Sequence, residues 1–279
     1  MDMKKFGKIL YYILASGLAL AAIGFLVYEI VWKGIVDSTH IIRTLLIVAT
    51  MILAIWRVAT GNGRGRKKHS KQFFRDHYGD IIGGAFIEPG KGSEKFFAAL
   101  EYYQYNQPAK LVEAMREVEP LCTKNDERFA VAVFKAIGYD EMRAYEKAVE
   151  HYESALTYKE NSTAASNLGI CYQRLGESER AIDTYLYAIK IDPRNAYPYN
   201  NLAQLYIRKE NYEDALRYAD MAIEKKETFR EAYSAKAIAH AMLGDMEGFE
   251  NAARKYALYG GSRQKIEYMA REMGVSLPV

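Results

Sequence analysis

From residue 92 onward, apolar side chains recur three and four positions apart in segments separated by Gly, Asn, Asp or Pro. That spacing paints one stripe along an α-helix, so this part of the chain predicts a series of amphipathic helices and an all-α fold. The clearest stretch runs from Ser162 to Asn195. Gly169 and Ala181 leave out bulk where two helices would cross, and Tyr172 and Tyr185 fill the space around that crossing. Gly176 suits a left-handed cap at the end of the first helix, and Asp192-Pro193 stops the second.

The pattern recurs. Small residues stand at Ala99, Ala136, Gly169, Ala203 and Ala237, at spacings of 37, 33, 34 and 34. Three positions after each comes Tyr102, Tyr139, Tyr172, Tyr206 or His240. Further columns hold Leu111, Ala148, Ala181, Ala215 and Phe249, then Met115, Tyr152, Tyr185, Ala219 and Ala253, then Val118, Ala155, Ala188, Ala222 and Tyr256. With Leu168-Gly169, Tyr172, Ala181, Tyr185, Ala188 and Pro193 at the matching spacings, the chain resembles the tetratricopeptide repeat family. The likeness spans 92–259, is clearest over 129–229, and blurs in the end units, which must face water or a cap.

The resemblance implies a right-handed α-solenoid of helix pairs whose concave side, lined by first helices, holds a protein or peptide. The register places Phe96, Leu100 and Tyr103, then Val133 and Ile137, then Ile170 and Gln173, then Asn200, Gln204 and Ile207 on that side. Asn167 and Asn201 occupy the position where the family often holds a ligand's backbone, and where asparagine is also simply common. The cationic set with which some members clamp a C-terminal carboxylate is not evident. Phe96, Leu100, Val133 and Ile137 form an apolar strip that needs a cover: a partner peptide, the headgroup surface, or the chain's own 81–87 folding back. Ser93 is expected to cap the first helix of the opening unit, and Pro108 to separate that helix from its partner. Residues 260–279 read as a capping helix and tail, with Ile266, Met269 and Met273 on one face.

The N-terminal part differs. Residues 1–75 carry 12 basic and 3 acidic side chains, a balance of +9, against 26 and 32, a balance of −6, in the remainder. Residues 9–32 are apolar except for Glu29 and reach about 36 Å as a helix, enough to span a bilayer core. Their length favours an uncleaved anchor over a signal peptide. Residues 41–60 predict a second span, with Arg43 and Arg57 near its ends, or else an interfacial helix. Two spans joined by a tight turn give a transmembrane hairpin over 1–60. Lys4, Lys5 and Lys8 on one flank and Arg57, Arg64, Arg66, Lys67, Lys68 and Lys71 on the other place both termini and the repeats in the cytoplasm, at an inner or plasma membrane. In the linker and connector 61–91, Arg64, Arg66, Lys67, Lys68 and Lys71 are expected to face anionic lipid. Gly17 and Ala21 allow close helix approach, within the hairpin or between two copies.

No nucleophile, metal-ligand or phosphate-loop spacing occurs, and the five histidines are scattered. No cofactor, nucleic acid or catalysis is expected. The expectation is a membrane-anchored adaptor, with a structural subunit of a membrane complex, or an enzyme with an unrecognised site, as the alternatives.

Overall fold

The computed structural model describes residues 69–275, which are all-helical. The predicted spans 9–32 and 41–60, together with Arg64, Arg66, Lys67 and Lys68, lie outside the described residues. Among the described residues no helix is long and apolar enough to cross a membrane.

A leading helix, α1 (Lys71–Ile82), precedes five helix pairs. These are α2 (Lys91–Gln104) with α3 (Pro108–Val118), α4 (Asn125–Glu141) with α5 (Tyr145–Tyr158), and α6 (Ser162–Arg174) with α7 (Ser178–Ile191). The series continues with α8 (Ala196–Arg208) and α9 (Tyr212–Lys225), α10 (Arg230–Met242) and α11 (Met246–Leu258), and ends in a lone α12 (Arg263–Glu272). Each pair packs on itself and on the next, which makes the molecule a linear stack.

Local sequence sets the ends of these elements. Pro108 opens α3, where a missing N–H costs nothing. Asn161 and Asn195 cap α6 and α8, their side-chain oxygens accepting from the N–H groups of Ala164 at 2.8 Å and Tyr197 at 3.1 Å. Gly176 follows α6 with φ +81°, a conformation that strains any residue with a Cβ. Ser93 behaves otherwise than expected. The helix begins earlier, at Lys91 after Gly90, so Ser93 is buried inside it, donating to the Phe86 carbonyl at 3.4 Å and accepting from Lys71 at 3.1 Å.

The repeat columns form the core. Ala99, Ala136, Ala203 and Ala237 are buried, as are Leu111, Ala148, Ala181, Ala215 and Phe249 one column on. Gly169 shows why the first column stays small: a Cβ there would sit 2.5 Å from Cε1 of Tyr185. The Tyr185 ring is fully buried and its hydroxyl donates to Gln173 at 2.8 Å.

Candidate functional site

The face formed by the first helices α2, α4, α6, α8 and α10 is divided into two unlike halves. Over the first half lies α1, which packs against α2, α4 and α6. Its alternation of aromatic and aliphatic residues puts Phe74, Ile81 and Ile82 underneath, all buried. The following turn tucks Phe86 against Phe96 with ring centroids 4.4 Å apart. Tyr78 meets the ring edges of Tyr103 at 5.6 Å and Phe134 at 5.9 Å. Polar ties fix the arrangement. Arg75 donates to the carbonyls of Gly83, Ala85 and Phe86 at 2.8–3.1 Å, Asn161 donates to the Asp80 carbonyl at 2.9 Å, and the His69 N–H donates to Glu101 at 2.7 Å.

Three of the residues predicted to line a groove therefore offer no surface to a partner. Phe96, Leu100 and Val133 are 0 % exposed, because the chain's own residues 74–86 cover them. Tyr103, Ile137, Asn167 and Ile170 are half-buried and line, with Ile81, a cavity of ≈370 Å³ along the far edge of α1. Asn167 is turned inward to the buried Tyr152 hydroxyl. Lys71, expected at a lipid surface, places its ammonium on Ser93 and 5.5 Å from the centroid of the Phe97 ring.

Beyond α6 the face is open over α8, while α12 packs against α10. Gln204 and Ile207 of α8, the buried Ile238 of α10, Met269 of α12 and Met273 just past its end surround a cleft of ≈580 Å³. Met269 and Met273 are 37 % and 36 % exposed, while Ile266 and Ala270 on the same helix are buried. So one apolar stripe of α12 shields the last pair and, at its edge, furnishes a wall of the cleft. Charge sits at the rim, on Arg208, Lys265 and the Arg230–Glu231 pair at 2.6 Å. A second cavity of ≈550 Å³ adjoins it, sharing Gln204, Arg230 and Glu231, with Tyr197, Asn200 and Phe229 in its walls. Asn200 is 4 % exposed, and its Oδ1 has no hydrogen-bond partner among the described residues. Asn201 donates to Ser166 at 3.1 Å, joining α8 to α6, and Gln173 is engaged by Tyr185.

The sequence reading had found Gln204, Ile207, Asn200 and Asn201 in this region but not Arg208, Lys265 or the wall role of Met269 and Met273. Ile266, Met269, Ala270 and Met273 stand at i, i+3, i+4 and i+7, a single apolar stripe, so no pattern in the sequence separates the two that line the cleft from the two that are buried.

Burial and nearby carboxylates push the Cys122 thiol up to about 11 and the Cys171 thiol up to about 12, so neither is a ready nucleophile. Among the described residues no group of His, Cys, Asp and Glu is placed to hold a metal ion.

Two tetratricopeptide repeat family models match residues 135–196 and 184–217. Over 66 residues the chain is 41% identical to photosystem I assembly protein Ycf3 of a Synechococcus strain, covering 22% of this chain and 38% of that protein. Over 91 residues it is 31% identical to a TPR repeat-containing protein of Methanocaldococcus jannaschii, covering 33% of this chain and 16% of that protein. The chain thus spans well under two thirds of either relative. Among solved structures the fold is similar to that of MamA, with TM-score 0.52 and 16% identity over 66% of this chain and 99% of that one. It is also similar to YrrB, a TPR protein with an unusual peptide-binding site, with TM-score 0.50 and 12% identity over 73% of this chain and 99% of that one. At these identities the likeness is one of fold. The tetratricopeptide family is supported for the central repeats.

Proposed function

We propose that this chain is a non-catalytic repeat scaffold that holds a segment of a protein partner in the cleft between α8, α10 and α12. The observation that carries the reading is the division of the first-helix face. Its first half already accommodates a helix, α1, through aromatic and aliphatic contacts, and its second half leaves Ile207, Met269 and Met273 accessible around a cleft. An apolar floor with a charged rim is the usual composition of a protein-binding patch. The Synechococcus relative is an assembly protein, a role of the same class.

The scaffold is further proposed to be tethered to a membrane by a hairpin over residues 1–60, with both termini in the cytoplasm and the basic linker against anionic lipid. This rests on the apolar runs and flanking charge of the sequence alone. A reporter active only outside the cytoplasm, fused after Val279, would stay silent in intact cells. An active reporter would refute that orientation.

The docking site is tested with a photoreactive amino acid introduced at Met273 of the full-length chain in its native host. The reading expects a discrete protein adduct from Met273 and none from Tyr158, an exposed position on a second helix. Equal labelling from both positions, or none from either, would overturn it.

A further inference from the structure

The first helices carry a ladder of side chains one repeat apart that is complete at one step and broken at the next. Asp140 on α4 pairs with Arg174 on α6, 34 residues later. The next positions at that spacing are Arg208 on α8 and Met242 on α10. Arg208 thus has a like charge on one side, whose carboxylate is already engaged, and a thioether on the other. No carboxylate pairs with it among the described residues, although its neighbours Arg217, Arg230 and Arg263 all have one. Arg208 is exposed as a residue, but partial loss of water around its guanidinium still pulls it below its ordinary pKa. An exposed guanidinium with no carboxylate partner is free to take one from a ligand, and a ligand lying on the apolar walls beside it would shield that pair from water. The position is not remote from the apolar floor, since Arg208 lines the same cleft as Ile207, Ile238, Met269 and Met273.

We infer that Arg208 receives a carboxylate from an acidic, apolar segment of a partner protein whose hydrophobic side chains rest on Ile207, Met269 and Met273. Charge complementarity selects this occupant over a basic peptide. The geometry of the floor, built from parallel rows on three helices, suits side chains presented three and four residues apart by a helix, as α1 presents its own to α2, α4 and α6. The inference rests on the docking reading above and specifies what that site selects.

The test pans a phage-displayed library of random 16-residue peptides, roughly the length of a three-to-five-turn helix, against the full-length chain. Three forms are compared: wild type, Arg208→Gln and Met273→Glu. Wild type is expected to enrich peptides with apolar residues at helical spacing and at least one Asp or Glu. Replacing that acid by its amide in a synthetic copy should weaken binding about tenfold on wild type and less than about twofold on Arg208→Gln. Raising the salt concentration should narrow the difference only modestly if the pair is shielded from water. Peptides that need the floor but show no acidic preference, and bind Arg208→Gln equally well, would overturn the inference while leaving the docking reading intact. Peptides indifferent to both Met273→Glu and Arg208→Gln, or no enrichment at all, would overturn both. Self-association of the chain in sedimentation that Met273→Glu abolishes, without peptide enrichment, would identify a second copy as the occupant and refute the inference.

Discussion

The two halves of the first-helix face solve the same packing problem in opposite ways. In the first half the inward residues are large: Phe96, Phe97, Phe129 and Phe134 are all buried. Neighbouring helices alone cannot enclose such rings, and α1 with the Phe86 turn completes the enclosure. At the matching register positions the second half carries Asn200 and Ser234 in place of Phe96, and Asn201 and Ala235 in place of Phe97 and Phe134, so its face has no such rings to enclose. What the small residues leave above them is a cleft. The same repeat therefore yields a sealed core or an open binding surface according to the size of a few inward side chains. Cover in one half is part of the folded core, and its absence in the other is where a partner fits.

The comparison breaks most severely if α1 is weakened. Phe74 is 0 % exposed beneath it, and Phe74→Ala should cost about 3–5 kcal/mol. Thermal melting should fall by roughly 10 °C for a domain of this size. A small change would mean that α1 is a detachable plug, contrary to its burial. Gly169→Val follows, since the new Cβ meets the Tyr185 ring at 2.5 Å. A loss of about 1–3 kcal/mol in denaturant unfolding is expected. Asn161→Ala removes both the α6 cap and the tie to Asp80, for about 1 kcal/mol in the same assay. Met273→Glu, in the open half, should change stability by less than about 0.5 kcal/mol while abolishing capture of the partner segment.

Alkaline pH offers a readout specific to the sealed region. The folded state raises the Cys122 and Cys171 thiols from 9.0 to about 11 and about 12, so it holds their protons more tightly than the unfolded chain does. Their contribution to stability is full below pH 9 and is lost as pH rises through the folded values. Denaturant midpoints should decline steadily above pH 9, and both thiols should resist alkylation until the protein unfolds.

The repeat register was legible because a crossing of two helices leaves a narrow choice of residues. Gly169, Ala181 and Tyr185 are constrained by one another, and their columns carry over from unit to unit. The role of residues 71–86 was only half legible. The apolar strip of Phe96, Leu100 and Val133 demanded a cover, but no periodicity says whether Ile81 and Ile82 or some other molecule provides it. Ser93 misled because a serine before an apolar run reads as a cap, whereas here the helix starts at Lys91 and the hydroxyl serves a tertiary contact. The cleft was least legible. Its wall on α12 depends on which face of a lone helix meets α10, and Arg208 becomes conspicuous only when the Asp140–Arg174 pair shows what its own neighbourhood lacks.

Hydroxyl-radical footprinting of the full-length chain reads both halves at once. The account predicts rapid oxidation of Met269 and Met273, with Phe96 and Phe134 protected to the same degree as Phe249 in the core of the last pair. Modification of Phe96 and Phe134 at rates near those of Met273 would show that α1 does not seal the first half. Protection of Met269 and Met273 in the isolated protein would show that the second half is not open. Either result would contradict the division on which the account depends.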